Sequence, residues 1–450
     1  MNYILAVDTG TQSTKASILD RDLNLLETSR VSYTPEVKSK NRVEIKADVL
    51  WDAFLKACTS LKMRSEVGAL SFATPCPSLL AMDSEGNPLT PIILHLDRRS
   101  HRQAVWALNR VGEDKFLHSA GNLPIPGGIS LTSILWIKEN RPDIYGRNGS
   151  VFGHIVTFFM KRLTGRFVMD PSNASFTGLY DTVGYGDWDE EILERLEIGR
   201  EKLPQVVMST TVLGKLNEQV ARSTGLPEGI PVVVGANDTT CAAIGAGVTE
   251  PGQLMNTSGT VEIMVLCLDR PLVGKNHLLR THAYPNRWLA MRTVGAGGAS
   301  LEWFRNSFCK EMTRETFYDE YLPTVLDASK SSQARFHPFL SGDRHRIRQR
   351  AGSFTQLTLN TTREDFLRAM ADGILSFQAK GLHEWRKKVP LDDTIRHVGG
   401  GASAAYTRFK QKYLKKYRFV QMGETAVIGA AKLGFEAIAG ERSDAGTLHN

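Results

Sequence analysis

Cysteine is scarce in this chain. Cys58, Cys76, Cys241, Cys267 and Cys309 are the only five in 450 residues, and no two of them form a Cys-x-x-Cys pair. An odd, scattered set of this kind excludes a disulfide framework and a cysteine-based zinc site. With no cysteine pair beside them at zinc-site spacing, the histidines read as structural. No apolar run reaches the ~20 residues that a membrane-spanning helix needs. The N-terminus carries no basic segment ahead of an apolar core, so the cytoplasm is the expected compartment. Excess charge is lacking too: 55 basic against 48 acidic side chains leave a net +7. That balance suits anionic ligands such as nucleotides and gives no reason to expect a nucleic acid or a membrane as partner. The G-x-x-x-x-G-K-[ST] loop is absent, which excludes the common P-loop.

What remains has the composition of an ordinary globular protein, 42% hydrophobic and 23% charged, and is long enough for two or three domains. Near the start, the apolar run Tyr3-Ile4-Leu5-Ala6-Val7 reads as a buried strand. It leads into Asp8-Thr9-Gly10-Thr11-Gln12-Ser13-Thr14-Lys15, and Ala16-Ser17-Ile18-Leu19 resumes as a second strand. A glycine in such a turn takes unusual backbone angles and lets the chain approach a ligand closely. Amides and hydroxyls of Gly10, Thr11, Ser13 and Thr14 can then face a phosphate, with Lys15 adding positive charge. Asp8 can hold Mg²⁺ through water, because that ion keeps several waters and uses one or two carboxylates. Asp-x-Gly between two apolar runs is equally what a plain hairpin turn looks like.

A third strand is expected over about 25–32, then a helix capped by Asp48 with Leu50, Phe54, Leu55, Cys58 and Leu61 at helical spacing. Residues 67–72 read as a strand running into Thr74-Pro75-Cys76-Pro77, whose prolines make it a loop. Short strands at 79–82 and 91–94 follow, the latter leading to His95-Leu96-Asp97. Residues 100–230 are expected to be mainly helical, with helices at 131–139, 154–164 and 190–196. Gly229-Ile230-Pro231-Val232-Val233-Val234-Gly235-Ala236-Asn237-Asp238 reads as one β-branched strand ending at a helix. Asp238 there is either the N-cap of that helix or a general base at the mouth of a cleft.

The second half echoes the first. Gln253-Leu254-Met255-Asn256 reaches Thr257-Ser258-Gly259-Thr260, and Val261-Glu262-Ile263-Met264-Val265 resumes as a strand. Strand, Gly-Thr turn, strand thus occurs in corresponding places of both halves, a weak internal repeat. Gly298-Ala299-Ser300 opens a helix, Thr361-Thr362 caps another, and a strand at 395–398 runs into Gly399-Gly400-Gly401. The helix face bearing Lys410, Lys412, Lys415 and Lys416 reads as solvated surface.

Taken in order, these stations resemble the FGGY family of carbohydrate kinases. The resemblance rests on Asp8-x-Gly10-Thr11-x-Ser13-x-Lys15, Gly235-Ala236-Asn237-Asp238-Thr239, Gly259-Thr260, Gly298-Ala299-Ser300-Leu301-Glu302-Trp303, Pro338-Phe339-Leu340-Ser341-Gly342-Asp343-Arg344, and 398–402. It implies two actin-like (ribonuclease H-like) α/β domains with mixed sheets around a central cleft, residues 1–246 binding the sugar and 247–450 the nucleotide. It implies transfer of the ATP γ-phosphoryl group to a hydroxyl of a small sugar, ketose, polyol or sugar acid, with a xylulose-like pentulose as first choice. Asp238 would be the catalytic base, and Asp8 the residue associated with Mg²⁺. Gly10, Thr11, Ser13, Lys15, Gly259, Thr260, Gly298, Glu302, Gly400 and Gly401 would hold the nucleotide, and Thr74, Cys76, Asp97 and Asn237 the acceptor. Domain closure would keep water out. Dimers are common in the family, so a homodimer is allowed.

Two departures touch the acceptor pocket. Thr74-Pro75-Cys76-Pro77 stands where many members carry Gln-Met-His-Gly, and His95-Leu96 replaces a tryptophan and a polar residue ahead of Asp97. The alternative is a weakly catalytic member that serves as a sugar or nucleotide sensor; an intact Asp8, Lys15 and Asp238 argue against it.

Overall fold

The computed structural model describes residues 2–39, 41–328, 333–399 and 404–447, with side chains as far as Gly440. The chain forms two compact units. The first comprises residues 1–247, 279–288 and 424–450, and the second 248–278 and 289–423.

In the first unit, Ile4–Thr9, Ser13–Leu19 and Leu25–Ser32 make the expected antiparallel meander. Ile4–Thr9 also pairs in parallel with Ala69–Thr74, and the sheet continues through Pro231–Val233 to Val212–Lys215. Successive side chains on a strand point to opposite faces. Leu5 and Val7 accordingly pack with Leu50, Phe54 and Ala57 of the Ala47–Thr59 helix. Ile4 and Ala6 pack with Val427, Ala430 and Ala431 of the Thr425–Thr447 helix. A sheet covered on both faces needs strands that are apolar throughout, and Ile4-Leu5-Ala6-Val7 is.

Several boundaries differ from expectation. The strand expected at 67–72 is Ala69–Thr74, because its ends are fixed by pairing with Ile4 at one end and Asn237 at the other, not by its own apolar run. Thr74 therefore belongs to the strand. Asp48 is not the cap of its helix. Lys46 occupies that position, and Asp48 lies in the first turn with an ion pair to Arg162 at 3.2 Å. The strand expected up to Asp238 is broken at Gly235, which has φ +76°. A Cβ there would lie 1.9 Å from the carbonyl oxygen of Phe72, so this close approach of two chains demands glycine.

The helix Asp238–Gly245 is held by the helix from the far end of the chain. A Cβ on Gly245 would lie 1.9 Å from the Thr425 carbonyl oxygen, and one on Gly429 would lie 1.9 Å from that of Cys241. Alanine in place of a helical glycine ordinarily gains about 0.5–1 kcal/mol. At position 429 the added methyl meets backbone, which cannot swing aside, and overpacking of this kind costs about 1–3 kcal/mol or more. Gly429→Ala is therefore expected to lower Tm in a calorimetric scan; an unchanged or raised Tm would refute the packing account.

The second unit repeats the pattern. Leu254–Ser258 pairs antiparallel with Glu262–Leu268 and parallel with Thr394–Val398, which pairs parallel with Arg418–Gln421. The 24-residue helix Arg363–Arg386 begins with a capping box of Thr362 and Asp365 and buries Leu367, Met370, Ile374 and Leu375.

Candidate active site

Two carboxylates define the site in the first unit. Asp8 lies near the end of its strand, opposite Lys15 in the ladder. Burial drives its pKa up to about 6; Lys15 and Arg30 oppose the rise and Glu424 adds to it. Asp238 is pushed up to about 7, first by burial and then by the negative charge of Asp8, against hydrogen bonds from Thr239. Both residues keep partial access to solvent. The pair therefore combines low local polarity with mutual repulsion, the two conditions that bring a carboxylate into the range of a base working near neutral pH.

Asp238 is placed by its neighbour. The N-cap is Asn237, whose Oδ1 accepts from the Thr240 amide at 2.9 Å, so Asp238 is the first helical residue and its carboxylate is released from capping. The Thr239 amide donates to Asp238 Oδ1 at 2.7 Å. The Asn237 amide donates to Ser172 Oγ at 2.9 Å, and Ser172 Oγ donates to the buried Asp170 at 2.5 Å. Asp170 also accepts from Asn173 and Ser209, which holds the whole corner rigid. The sequence reading missed this web. Its signal was there in Asp170-Pro171, a capping residue followed by proline at the first helical position.

Thr74 and Cys76 meet at Asn173: Thr74 Oγ1 donates to Asn173 Oδ1 at 3.3 Å and Cys76 Sγ donates to it at 2.7 Å. Cys76 Sγ also lies 3.5 Å from His154 Nδ1, and His154 Nε2 is 2.6 Å from Ser130 Oγ. Burial and the nearby Arg280 lower the His154 pKa to about 3, so the ring is neutral. Burial raises the Cys76 thiol well above its ordinary value, with the charges of Asp238 and Asp170 adding to it. The thiol is therefore a hydrogen-bonding wall group and no nucleophile. Asp97 is not part of this cluster. It is 2% exposed, and its carboxylate is occupied by Arg99 and by the Val43 amide; Arg99 in turn pairs with Glu44 at 2.6 Å.

In the first hairpin, Lys15 Nζ pairs with Glu424 at 2.5 Å and Ser13 Oγ accepts from Arg30 Nε at 3.0 Å. The Gly10 amide is bonded to Ser13 O at 2.8 Å. Thr11 stays partly exposed. Thr14 does not face a phosphate: the alternation of the strand turns it inward, where its hydroxyl meets Tyr33 Oη at 3.1 Å.

In the second unit, Gly259 and Thr260 form the turn between their strands. A Cβ at Gly259 would meet nothing within 4 Å, so the outer side of the turn is open. Its carbonyls face the other way, taking bonds from the Gly298 amide at 2.9 Å and the Ala299 amide at 3.2 Å. The first amides of the Gly298–Phe308 helix are thus spent on bracing the turn. Glu302 is bound by Arg305 at 2.7 Å and by Tyr318 Oη at 2.9 Å. Gly400 and Gly401 lie outside the described residues. Lys410, expected on a solvated face, is fully buried: the Ala404–Tyr413 helix turns it inward beside Tyr406, and it pairs with Glu262 at 2.5 Å.

Among the described residues no group of three or more acidic, histidine or cysteine side chains could hold a metal ion, and no helix is long and apolar enough to cross a membrane. Each unit carries a Gly-Thr hairpin between two strands, and the first also carries Asp238, raised to about 7 by burial and by the charge of Asp8. Comparison with known proteins identifies the family. The profile of the FGGY family of carbohydrate kinases, N-terminal domain, matches residues 3–245, and the chain belongs to that family. It is 27% identical over 412 residues to the xylulose kinase of Staphylococcus xylosus, covering 89% of this chain and 83% of the other. To the gluconokinase of Bacillus subtilis it is 27% identical over 389 residues, covering 83% and 75% of the two chains. Its fold matches a ligand-bound xylulose kinase from Lactobacillus acidophilus with a TM-score of 0.88 at 22% identity, covering 98% of this chain and 90% of that one. The fold is therefore the two-domain actin-like α/β fold, and the enzyme is a carbohydrate kinase with an alcohol group as phosphoryl acceptor.

Proposed function

We propose that the enzyme moves the γ-phosphoryl group of ATP onto a hydroxyl of a pentulose of the xylulose type, with Asp238 as general base. The observation that carries this is the Asp238 carboxylate itself, brought to a pKa of about 7 beside Asp8 and free of the capping role that Asn237 fills. A base of that strength takes the proton of an acceptor hydroxyl as the new P–O bond forms, and returns it to solvent readily near neutral pH.

The acidic pair suits Mg²⁺. Two mutually repelling carboxylates without a third ligand fit an ion that takes one or two carboxylates and keeps its waters. Asp8 is the holder we assign, and the ion when bound would neutralise charge on the phosphates. Lys15 exchanges Glu424 for a phosphate, with Gly10, Thr11 and Ser13 beside it on the first hairpin. Residues of the second unit, Gly259 and Thr260 on the turn with Gly298 and Glu302 behind it, hold the nucleotide. Thr74 and Cys76 line the acceptor, while Asn237 and Asp97 act from behind, the former by fixing Asp238 and the latter by fixing the segment at Arg99. Xylulose kinases among the relatives support the pentulose, and nothing favours a sensor without turnover.

The test is ATP consumption by the purified protein with Mg²⁺ against a panel of ketoses, polyols and sugar acids. Turnover with xylulose well above the acceptor-free background is expected. A stronger response to a sugar acid or polyol would overturn the pentulose and keep the kinase; silence across the panel with ATP still bound would overturn the catalytic reading.

A further inference from the structure

The second unit contains a buried ion pair that the proposed reaction does not use. The side chains of Lys410 and Glu262 are 0% and 2% exposed. Taking two charges out of water is costly, and apolar residues of similar size often replace such a pair without loss of stability. The pair is better understood through what it holds in place. Lys410 Nζ donates to Glu262 Oε1 at 2.5 Å, to Asn256 Oδ1 at 2.8 Å and to Ser258 Oγ, which uses all three ammonium hydrogens. Asn256 and Ser258 lie on the strand entering the Gly259–Thr260 turn, and Glu262 on the strand leaving it. One ammonium thus ties both arms of the hairpin at its tip.

The tie extends sideways. His397 Nε2 lies 2.9 Å from Ser258 Oγ, and its Nδ1 lies 2.7 Å from Gln421 Oε1. The glycines around the tip leave no slack: a Cβ on Gly399, which has φ +104°, would lie 2.4 Å from Ser258 O, and one on Gly297 would lie 2.7 Å from Glu262 Cβ.

We infer that Lys410 is a positioning residue for the nucleotide: through Glu262, Asn256 and Ser258 it fixes the two arms of the Gly259–Thr260 turn so that the open side of the turn receives phosphate. This rests on the reading of that turn as a phosphate site. A buried lysine on a helix whose neighbours Lys412, Lys415 and Lys416 read as surface has no local signal, so only the tertiary packing reveals it.

The experiment compares wild type, Lys410→Met and the double variant Lys410→Met/Glu262→Gln. It uses calorimetric binding of ATP, Tm, and steady-state constants with an accepted sugar. Lys410→Met alone strands Glu262 as an unpaired buried charge and is expected to fold poorly. The double variant removes both charges and is expected to keep a Tm near that of wild type. Its Kd and KM for ATP should rise by about 10²-fold, the scale of a small displacement of a binding group, while the KM for the sugar stays put. A double variant that folds and binds ATP like wild type would overturn the assignment and leave the pair purely structural. A wild-type protein that binds no ATP would overturn both this inference and the phosphate reading beneath it.

Discussion

Asp238→Asn is expected to lower kcat by about 10²–10⁴-fold, the range that a positioned general base contributes, with the KM for ATP almost unchanged. The substitution keeps the shape of the side chain, and an amide oxygen still accepts the 2.7 Å bond from the Thr239 amide. The helix is capped by Asn237, not by Asp238, so the start of the helix survives. What disappears is the ability to take a proton. It also removes a buried carboxylate that the charge of Asp8 disfavours, so the variant should be no less stable than wild type near neutral pH. A capping role for Asp238 predicts the opposite pattern, a loss of about 0.5–2 kcal/mol in stability with modest change in turnover. The two readings left open by the sequence are thus separated by one variant measured in two ways. Turnover near the wild-type value would end the assignment of Asp238 as base.

The sequence carried the parts of this fold that are set locally. Both Gly-Thr hairpins were legible because β-branched and apolar runs flank a turn, and the helix expected at 190–196 has those bounds, with Asp189 as its cap in the structure. The parts it did not reveal are set largely by distant partners. Nothing near Thr74 says that its strand ends by pairing with Asn237. The Asp97 carboxylate is held by Arg99, two residues on, and by the amide of Val43, 54 residues away, which keeps it apart from the Cys76 cluster. Thr74 and Cys76 become one site only through Asn173, which is 99 residues from Thr74. At Asp238 the sequence left two readings open, cap or base, and the backbone angles give the cap to Asn237. Motifs therefore placed Asp238 and the hairpins, while the hydrogen bonds around Thr74 and Cys76 stayed hidden, because they depend on polar groups brought together from distant parts of the chain.

The same carboxylates should couple stability to pH. A carboxyl whose folded pKa is raised above its unfolded value holds its proton more tightly in the folded state. Its contribution to stability is complete below the ordinary value of 3.8 and is lost as pH rises through about 6 for Asp8 and about 7 for Asp238. The buried histidines act in the opposite direction. His154, His277, His345 and His397 all have lowered pKa values, so they favour the folded state increasingly as pH rises towards 6.5. The slope of the wild-type protein alone would mix the two. The difference between variant and wild type cancels the histidines. Asp238→Asn and Asp8→Asn should each match wild type in Tm only below about pH 3.8, where the carboxyls are protonated in both the folded and the unfolded chain, and exceed it at pH 8. The gain should be on the order of a few kcal/mol, since one unit of pKa is about 1.4 kcal/mol. A difference independent of pH would refute the account. Mg²⁺ supplies the decisive second arm: at pH 8 it should raise the Tm of wild type and close the gap, because a cation relieves the repulsion that the substitution abolishes. In Asp8→Asn it should do little, since the carboxylate assigned to hold it is gone. The site is thus expected to be a place where the protein gives up stability for chemistry: two charges kept close at a cost in the free enzyme, which the bound ion offsets.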